Sequence, residues 1–63
     1  MQNSIGKFLR RCEVEAMTSL SKSSIYAKMA NGEFPPQIKL GPRRVVWAEA
    51  HIQQWMTSQM QVA

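Results

Sequence analysis

Two consecutive prolines, Pro35 and Pro36, place the strongest constraint on how this chain can fold. Proline inside a helix removes a backbone hydrogen bond and clashes with the preceding turn, and it restricts the residue before it to extended conformations. The pair rules out a helix that continues past it, and we expect the preceding helix to end at Asn31 and Gly32, where glycine adopts a left-handed backbone at low cost. The prolines divide the chain into a first half that can be helical and a second half that begins extended.

The first half predicts one short strand and one short helix. Residues 8–10 (FLR) predict an extended segment. Val14 and Met17 recur at helical spacing, which predicts a helix over residues 12–18. The hydroxyl residues over 18–21 compete for backbone hydrogen bonds and end that helix.

A second helix is predicted to begin after Ser21, whose hydroxyl can accept a hydrogen bond from an early backbone amide. Leu20 and Ile25 then occupy the positions of a hydrophobic staple. Ile25 and Met29 share the core-facing side, with Tyr26 on its flank. The other side carries small residues and one cation: Ser23, Ser24, Ala27, Lys28 and Asn31. Such a face can approach DNA closely, although an ordinary solvated helix face has the same composition.

A β-hairpin is predicted after the prolines. Residues 37–40 alternate between polar and apolar, residues 44–47 follow the same pattern if Val46 faces outward, and the Gly41-Pro42-Arg43 sequence between them supplies turn residues. With Val46 facing outward, the core-facing side chains are predicted to be Ile38, Leu40, Val45 and Trp47. The cations left for solvent or phosphate are Lys39, Arg43 and Arg44.

A third helix is predicted from Glu49 onward, because Ile52, Trp55 and Met56 recur at helical spacing. Trp47 and Trp55 both fall on apolar phases, so core packing is favoured over the alternative that they stack on single-stranded bases. A chain of 63 residues has room for one small core. We therefore expect one domain over residues 8–58, between a flexible arm over 1–7 and a frayed end over 59–63.

The charge balance favours a polyanionic partner. Eight lysines and arginines oppose four acidic residues, which gives a formal net charge of +4. Five of these cations lie in the middle of the chain and suggest one basic face: Lys22, Lys28, Lys39, Arg43 and Arg44.

Other classes of function find little support in the composition. The single cysteine, Cys12, excludes an internal disulfide and a cysteine-rich zinc site, and we expect it to be partly buried. His51 is the only histidine, with no phosphate loop, paired carboxylates or metal-ligand spacing, so we expect no catalysis, cofactor or metal. No apolar segment approaches the roughly 20 residues that cross a bilayer. We expect a cytoplasmic protein that associates with the nucleoid when bound to DNA.

The order helix, turn, helix, hairpin, helix predicts an α+β fold, a small winged helix-turn-helix module with a β-hairpin wing. Residues 20–56, LSKSSIYAKMANGEFPPQIKLGPRRVVWAEAHIQQWM, resemble the AlpA-like phage transcriptional regulators, which are related to small excisionases with a MerR-like winged fold. The specific parts are the serine-rich start before Ile25-Tyr26, the Gly32-Glu33-Phe34-Pro35 step, Leu40-Gly41 and the Trp47 to Trp55 spacing. One departure is Ser19, where the family usually has glycine. If φ is positive there, serine costs on the order of 1 kcal/mol.

The resemblance implies a regulator that binds operator or attachment-site DNA and controls a phage gene or assists excision. It carries Ser21, Ser24, Tyr26 and Lys28 over to the family's recognition helix, and Arg43 and Arg44 to its basic wing. The full expected DNA-binding set, from resemblance and side-chain chemistry together, is Ser21, Lys22, Ser23, Ser24, Tyr26, Ala27, Lys28, Asn31, Lys39, Arg43 and Arg44. Integrase and RNA polymerase are the expected protein partners, and so small a module is expected to self-associate cooperatively on DNA.

Three functions stay open on the sequence. The leading one is a sequence-specific transcriptional regulator from a prophage or mobile element that binds double-stranded DNA. The second is an excisionase, which would bind attachment-site DNA and assist an integrase through the same groove contacts. The third is a protein-interaction inhibitor whose basic face meets an acidic partner. Duplex binding across a salt series separates the third function from the first two.

Overall fold

A computed structural model describes residues 6–61, which form three helices and a three-stranded antiparallel sheet. In chain order the elements are β1 (Phe8–Leu9), α1 (Arg11–Thr18), α2 (Lys22–Ala30), β2 (Ile38–Gly41), β3 (Arg44–Ala48) and α3 (Glu49–Met60). β3 is the central strand, and β1 and β2 pair with it on either side. The α+β winged helix-turn-helix predicted from the sequence is confirmed.

Helix α2 begins and ends at the residues that the sequence predicts. The Ser21 hydroxyl accepts a hydrogen bond from the Ser24 backbone N–H at 3.2 Å, which makes Ser21 the N-cap. Asn31 is the C-cap, and Gly32 follows with φ at +73°. The helix therefore stops before the two prolines are reached.

The turn between α1 and α2 depends on a left-handed residue, Ser19, with φ 63° and ψ 18°. Within residues 6–61 it is the only residue other than glycine with positive φ. Its backbone N–H donates to the Glu15 carbonyl at 2.8 Å, which closes the last turn of α1. Ser19 therefore has the positive φ that was the condition for the predicted conformational cost of a serine at this position.

The core takes one buried residue from every element except β2, and one more from the segment between α2 and β2. Its buried members are Leu9, Val14, Ile25, Phe34, Trp47 and Ile52. Half-buried side chains that pack against it include Met17, Met29 and Met56, as their spacing predicts. β2 contributes no buried residue, so the hairpin extends from the domain as a wing.

The hairpin differs from the prediction in which side chains it buries. Its register pairs Ile38 with Val46, Lys39 with Val45 and Gly41 with Arg44. Leu40 is thus an extra residue in a β-bulge and is 48% exposed, so its predicted place in the core is wrong. Ile38 shares a sheet face with Val46, opposite to Trp47, because paired residues lie on one face and successive residues alternate. Val46 points away from Trp47 but is only 6% exposed, so its predicted exposure is wrong.

Cys12 is exposed on α1, so its predicted partial burial is also wrong. Val14 and Met17 form the apolar side of that helix, and Cys12 lies on the other side. At the chain ends, residues 1–5 of the predicted arm and residues 62–63 of the predicted frayed end lie outside the described residues. α3 includes positions 59 and 60. None of the helices described is long and apolar enough to cross a membrane.

Candidate nucleic-acid interface

The outward side of α2 is built from short side chains. Ile25 is fully buried and marks the core-facing side of the helix. At about 100° per residue, Ser23, Ala27 and Ala30 lie opposite Ile25, and all three are exposed. Ala30 was not nominated from the sequence, although the same helical spacing identifies it. Three short side chains leave the helix surface low enough to enter a DNA major groove.

The two flanks of this face carry longer side chains and serines that already form hydrogen bonds within the protein. Lys22 is exposed and Tyr26 is 36% exposed on one flank, whereas Ser24 is half-buried on the other. The Ser21 hydroxyl donates to the Ser24 hydroxyl at 3.1 Å while it accepts the bond from the Ser24 amide. These two serines therefore hold the start of α2 and have fewer free lone pairs and protons for DNA.

Lys28 and Asn31 lie in different surroundings near the end of α2. Lys28 is half-buried and lines a groove of about 380 Å³ with Met17 and Met56, between the helices. Asn31 is exposed at the end of the face that Ser23 and Ala27 begin. Lys28 therefore lies in the groove between the helices, whereas Asn31 lies beside the outward face and is the better placed of the two to contact DNA.

The hairpin tip presents the wing cations. Pro42 and Arg43 are the two turn residues, and Arg44 pairs with Gly41 at the base of the turn. Arg43, Arg44 and the nearby Lys39 are all exposed. The one ion pair within the described residues lies elsewhere, on α1. The wing guanidinium groups are therefore free to meet an anion.

Arg10 is an exposed cation that the sequence-based nomination missed. β1 runs antiparallel to β3 and pairs Leu9 with Trp47, so the next residue, Arg10, lies toward the Arg44 end of β3. Lys7, also exposed, lies toward the other end of the sheet. The sequence predicts an extended segment at residues 8–10, but only the pairing of β1 with β3 shows that Arg10, and not Lys7, lies toward the Arg44 end of the sheet.

Few side chains that could bind a metal ion or act in catalysis lie near one another within residues 6–61. Across residues 6–61 no three His, Cys, Asp or Glu side chains are grouped so that they could hold a metal ion. His51 is exposed on α3 and lines an open groove with Gln54 and Trp55. The exposed surface of these residues instead carries two other features, the small-residue face of α2 and the cationic wing.

Two comparisons with known proteins find relatives of this chain. A family model described as prophage CP4-57 regulatory protein (AlpA) matches residues 7–60. The chain is also 41% identical over 54 residues to an uncharacterized protein, ORF88, of enterobacteria phage P4. That match covers 86% of this chain and 61% of the phage P4 protein, so the chain spans about three fifths of its relative's length.

Proposed function

This chain belongs to the AlpA family of small phage DNA-binding regulators, and from that premise we propose that it is a sequence-specific transcriptional regulator that binds double-stranded operator DNA. In this proposal α2 enters the major groove and the hairpin wing contacts the adjacent phosphate backbone. The observation that carries the proposal is the pairing of an uncharged, short-chained helix face with a cationic hairpin tip on one small domain.

The wing supplies most of the electrostatic affinity in this scheme. Arg43 and Arg44 are exposed at a two-residue turn and have no ion-pair partner within residues 6–61. A guanidinium group forms bidentate, charge-assisted hydrogen bonds with phosphate. Each phosphate contact releases condensed counterions, so affinity falls as salt rises.

Helix α2 supplies the sequence reading. Ser23 and Asn31 can hydrogen-bond to base edges or phosphates, and the methyl group of Ala27 can pack on a thymine methyl. The exposed face carries no arginine that could form the usual bidentate contact with guanine. The balance therefore favours backbone contacts and DNA shape, with limited direct base reading.

A salt series tests the role of the wing. Affinity for duplexes from the DNA that flanks the gene is measured by fluorescence anisotropy at several salt concentrations. Replacing Arg43→Ala and Arg44→Ala together should flatten the slope of log affinity against log salt by roughly 2, about one for each lost phosphate contact. The charge-matched control, Lys7→Ala with Arg11→Ala, should change the slope by well under 1 on the same scale. An equal flattening in the control would contradict the assignment of the wing.

A single added charge tests α2. Ala27→Glu places a carboxylate in the middle of the outward face and should weaken duplex binding more than tenfold, by repulsion from the phosphates. The matched control, Gln53→Glu, adds the same charge on an exposed position of α3 and should cost less than about threefold. Comparable losses in the two variants would mean that α2 does not enter the groove, and a wild-type protein that binds no duplex at low salt would refute the DNA-binding proposal.

The same contacts would serve an excisionase, and the balance toward backbone contact and DNA shape suits that architectural role equally. A promoter fusion and an excision-frequency assay separate the two roles. The proposal of a regulator predicts altered promoter output with unchanged excision, and the reverse result would assign the excisionase role. Contacts with integrase or RNA polymerase, cooperative self-association and a nucleoid-associated cytoplasmic location stay predictions.

A further inference from the structure

The segment between α2 and β2, residues 31–37, determines where the wing lies relative to α2, because it is the direct covalent link between them. Its first residues continue the hydrogen bonding of the helix. The Gly32 N–H donates to the Met29 carbonyl at 3.1 Å, and the Glu33 N–H donates to the Lys28 carbonyl at 2.8 Å. Up to Glu33, the segment is therefore anchored to the last turn of α2.

Both indole groups of the chain then bind the middle of this segment. The Trp55 Nε1–H donates to the Glu33 carbonyl at 2.8 Å, and the Trp47 Nε1–H donates to the Pro35 carbonyl at 3.2 Å. These are the two carbonyls that flank Phe34. Trp47 lies on β3, three residues after Arg44, whereas Trp55 lies on α3. The two indoles thus connect the segment to the strand of the wing and to the third helix.

The residue between the two bonded carbonyls, Phe34, adds a packing contact. It is 7% exposed, and its ring meets the Trp55 ring edge-on, with centroids 4.9 Å apart and planes at 61°. Such aromatic pairs stabilise beyond the area they bury. Pro35 and Pro36 follow with fixed φ, so the bonded segment has few alternative conformations.

We infer that Phe34, Trp47 and Trp55, which we name the indole clamp, are positioning residues that hold the wing at a set distance and angle from α2. The inference rests on the proposed function, since the wing and α2 must reach backbone and groove of one duplex together. Rotation of the wing about residues 31–37 would break an indole hydrogen bond or separate the aromatic pair. Because the clamp fixes the wing before DNA binds, Arg43 and Arg44 contact the duplex together with α2 without a loss of conformational entropy on binding.

The test combines two readouts. Trp55→Phe keeps an aromatic ring but removes the donor to Glu33. Binding is measured at a temperature well below the unfolding midpoint, where each variant is folded. The loss of one hydrogen bond should weaken duplex binding about three- to tenfold, but less than about twofold in a chain that already carries Arg43→Ala and Arg44→Ala. A purely structural role would weaken both backgrounds equally or leave both unchanged, and either result overturns the inference.

The second readout needs no DNA. In Trp55→Phe one indole N–H signal remains in the NMR spectrum, that of Trp47, and its hydrogen exchange should be about tenfold faster after correction for global stability. Unchanged exchange would overturn the clamp. If the wild type binds no duplex, the proposed function fails together with the wing coupling, while the exchange rate still reports whether the clamp exists.

Two further variants control for stability. Met56 is the residue after Trp55 on α3. It lines the groove that contains Met17 and does not line the groove that contains Phe34, so Met56→Ala removes packing away from the clamp. It should lower the unfolding temperature yet leave the affinity of the folded protein within about twofold and the corrected Trp47 exchange unchanged. Phe34→Leu keeps an apolar side chain but loses the edge-on contact with Trp55, and it should reproduce the wing-dependent loss. If Phe34→Leu weakened duplex binding equally with and without Arg43→Ala and Arg44→Ala, the result would contradict the clamp.

Discussion

Replacing Ser19 with glycine is expected to stabilise the domain. Ser19 has φ 63°, in the left-handed region where Cβ approaches the carbonyl oxygen. This conformation costs an L-residue about 1–2 kcal/mol, whereas glycine adopts it freely. Glycine also gives the unfolded chain more conformational freedom, which offsets about 0.4–1 kcal/mol of the gain. The net expectation for Ser19→Gly is a free energy of unfolding higher by roughly 0.5–1 kcal/mol.

The assay is reversible thermal unfolding followed by circular dichroism, with urea unfolding as a second measure. For a domain of this size the gain corresponds to an unfolding temperature about 2–8 °C higher. The slope of the urea transition should stay the same, because the surface exposed on unfolding does not change. An unfolding temperature that is unchanged or lower in Ser19→Gly would refute the reasoning, since it would mean that the turn does not carry the cost of a left-handed serine.

Three controls isolate the backbone effect from other consequences of the substitution. Ser19→Ala keeps a Cβ at the same φ and should gain little. Gly32→Ala places a Cβ at φ +73° with nothing within 4 Å of it, so its expected loss of about 1 kcal/mol is conformational. Gly41→Ala also enters open space, but at a position without positive φ, and should be neutral or slightly stabilising.

Three other stability predictions follow from single side chains. Ser21→Ala removes the N-cap of α2 and should lower the free energy of unfolding by about 1 kcal/mol in urea titrations, whereas Ser23→Ala, with no bond to the helix, should not lower it. Val46→Ala should cost about 2 kcal/mol and Leu40→Ala less than about 0.5, and the opposite ranking would contradict the bulged register. Gln37→Met should raise the free energy of unfolding by about 1 kcal/mol, because the Gln37 Oε1 is buried and has no hydrogen-bond partner among residues 6–61; no gain would mean that the carboxamide finds a partner in solution.

Much of this protein follows from sequence-local chemistry. Ser21 starts α2 and Gly32 ends it, because capping and left-handed backbone depend on a few neighbouring residues. The two prolines exclude helix between α2 and the hairpin, and the turn residues around Pro42 located the wing tip. The order and spacing of the motifs also identified the family, because both can be read from the sequence without knowing which residues are in contact.

The tertiary structure decided what depends on residues far apart in the chain. The bulge at Leu40 arises in the pairing of two strands, and Leu40 is exposed and Val46 buried, the reverse of what alternation along the strands predicts. Arg10 lies toward the Arg44 end of β3 because β1 pairs antiparallel with β3. The indole hydrogen bonds of Trp47 and Trp55 join residues 12 and 22 positions apart, beyond the reach of any periodicity. Local patterns determine which elements form, whereas burial and hydrogen bonding between distant segments determine which side chains those elements leave available to bind.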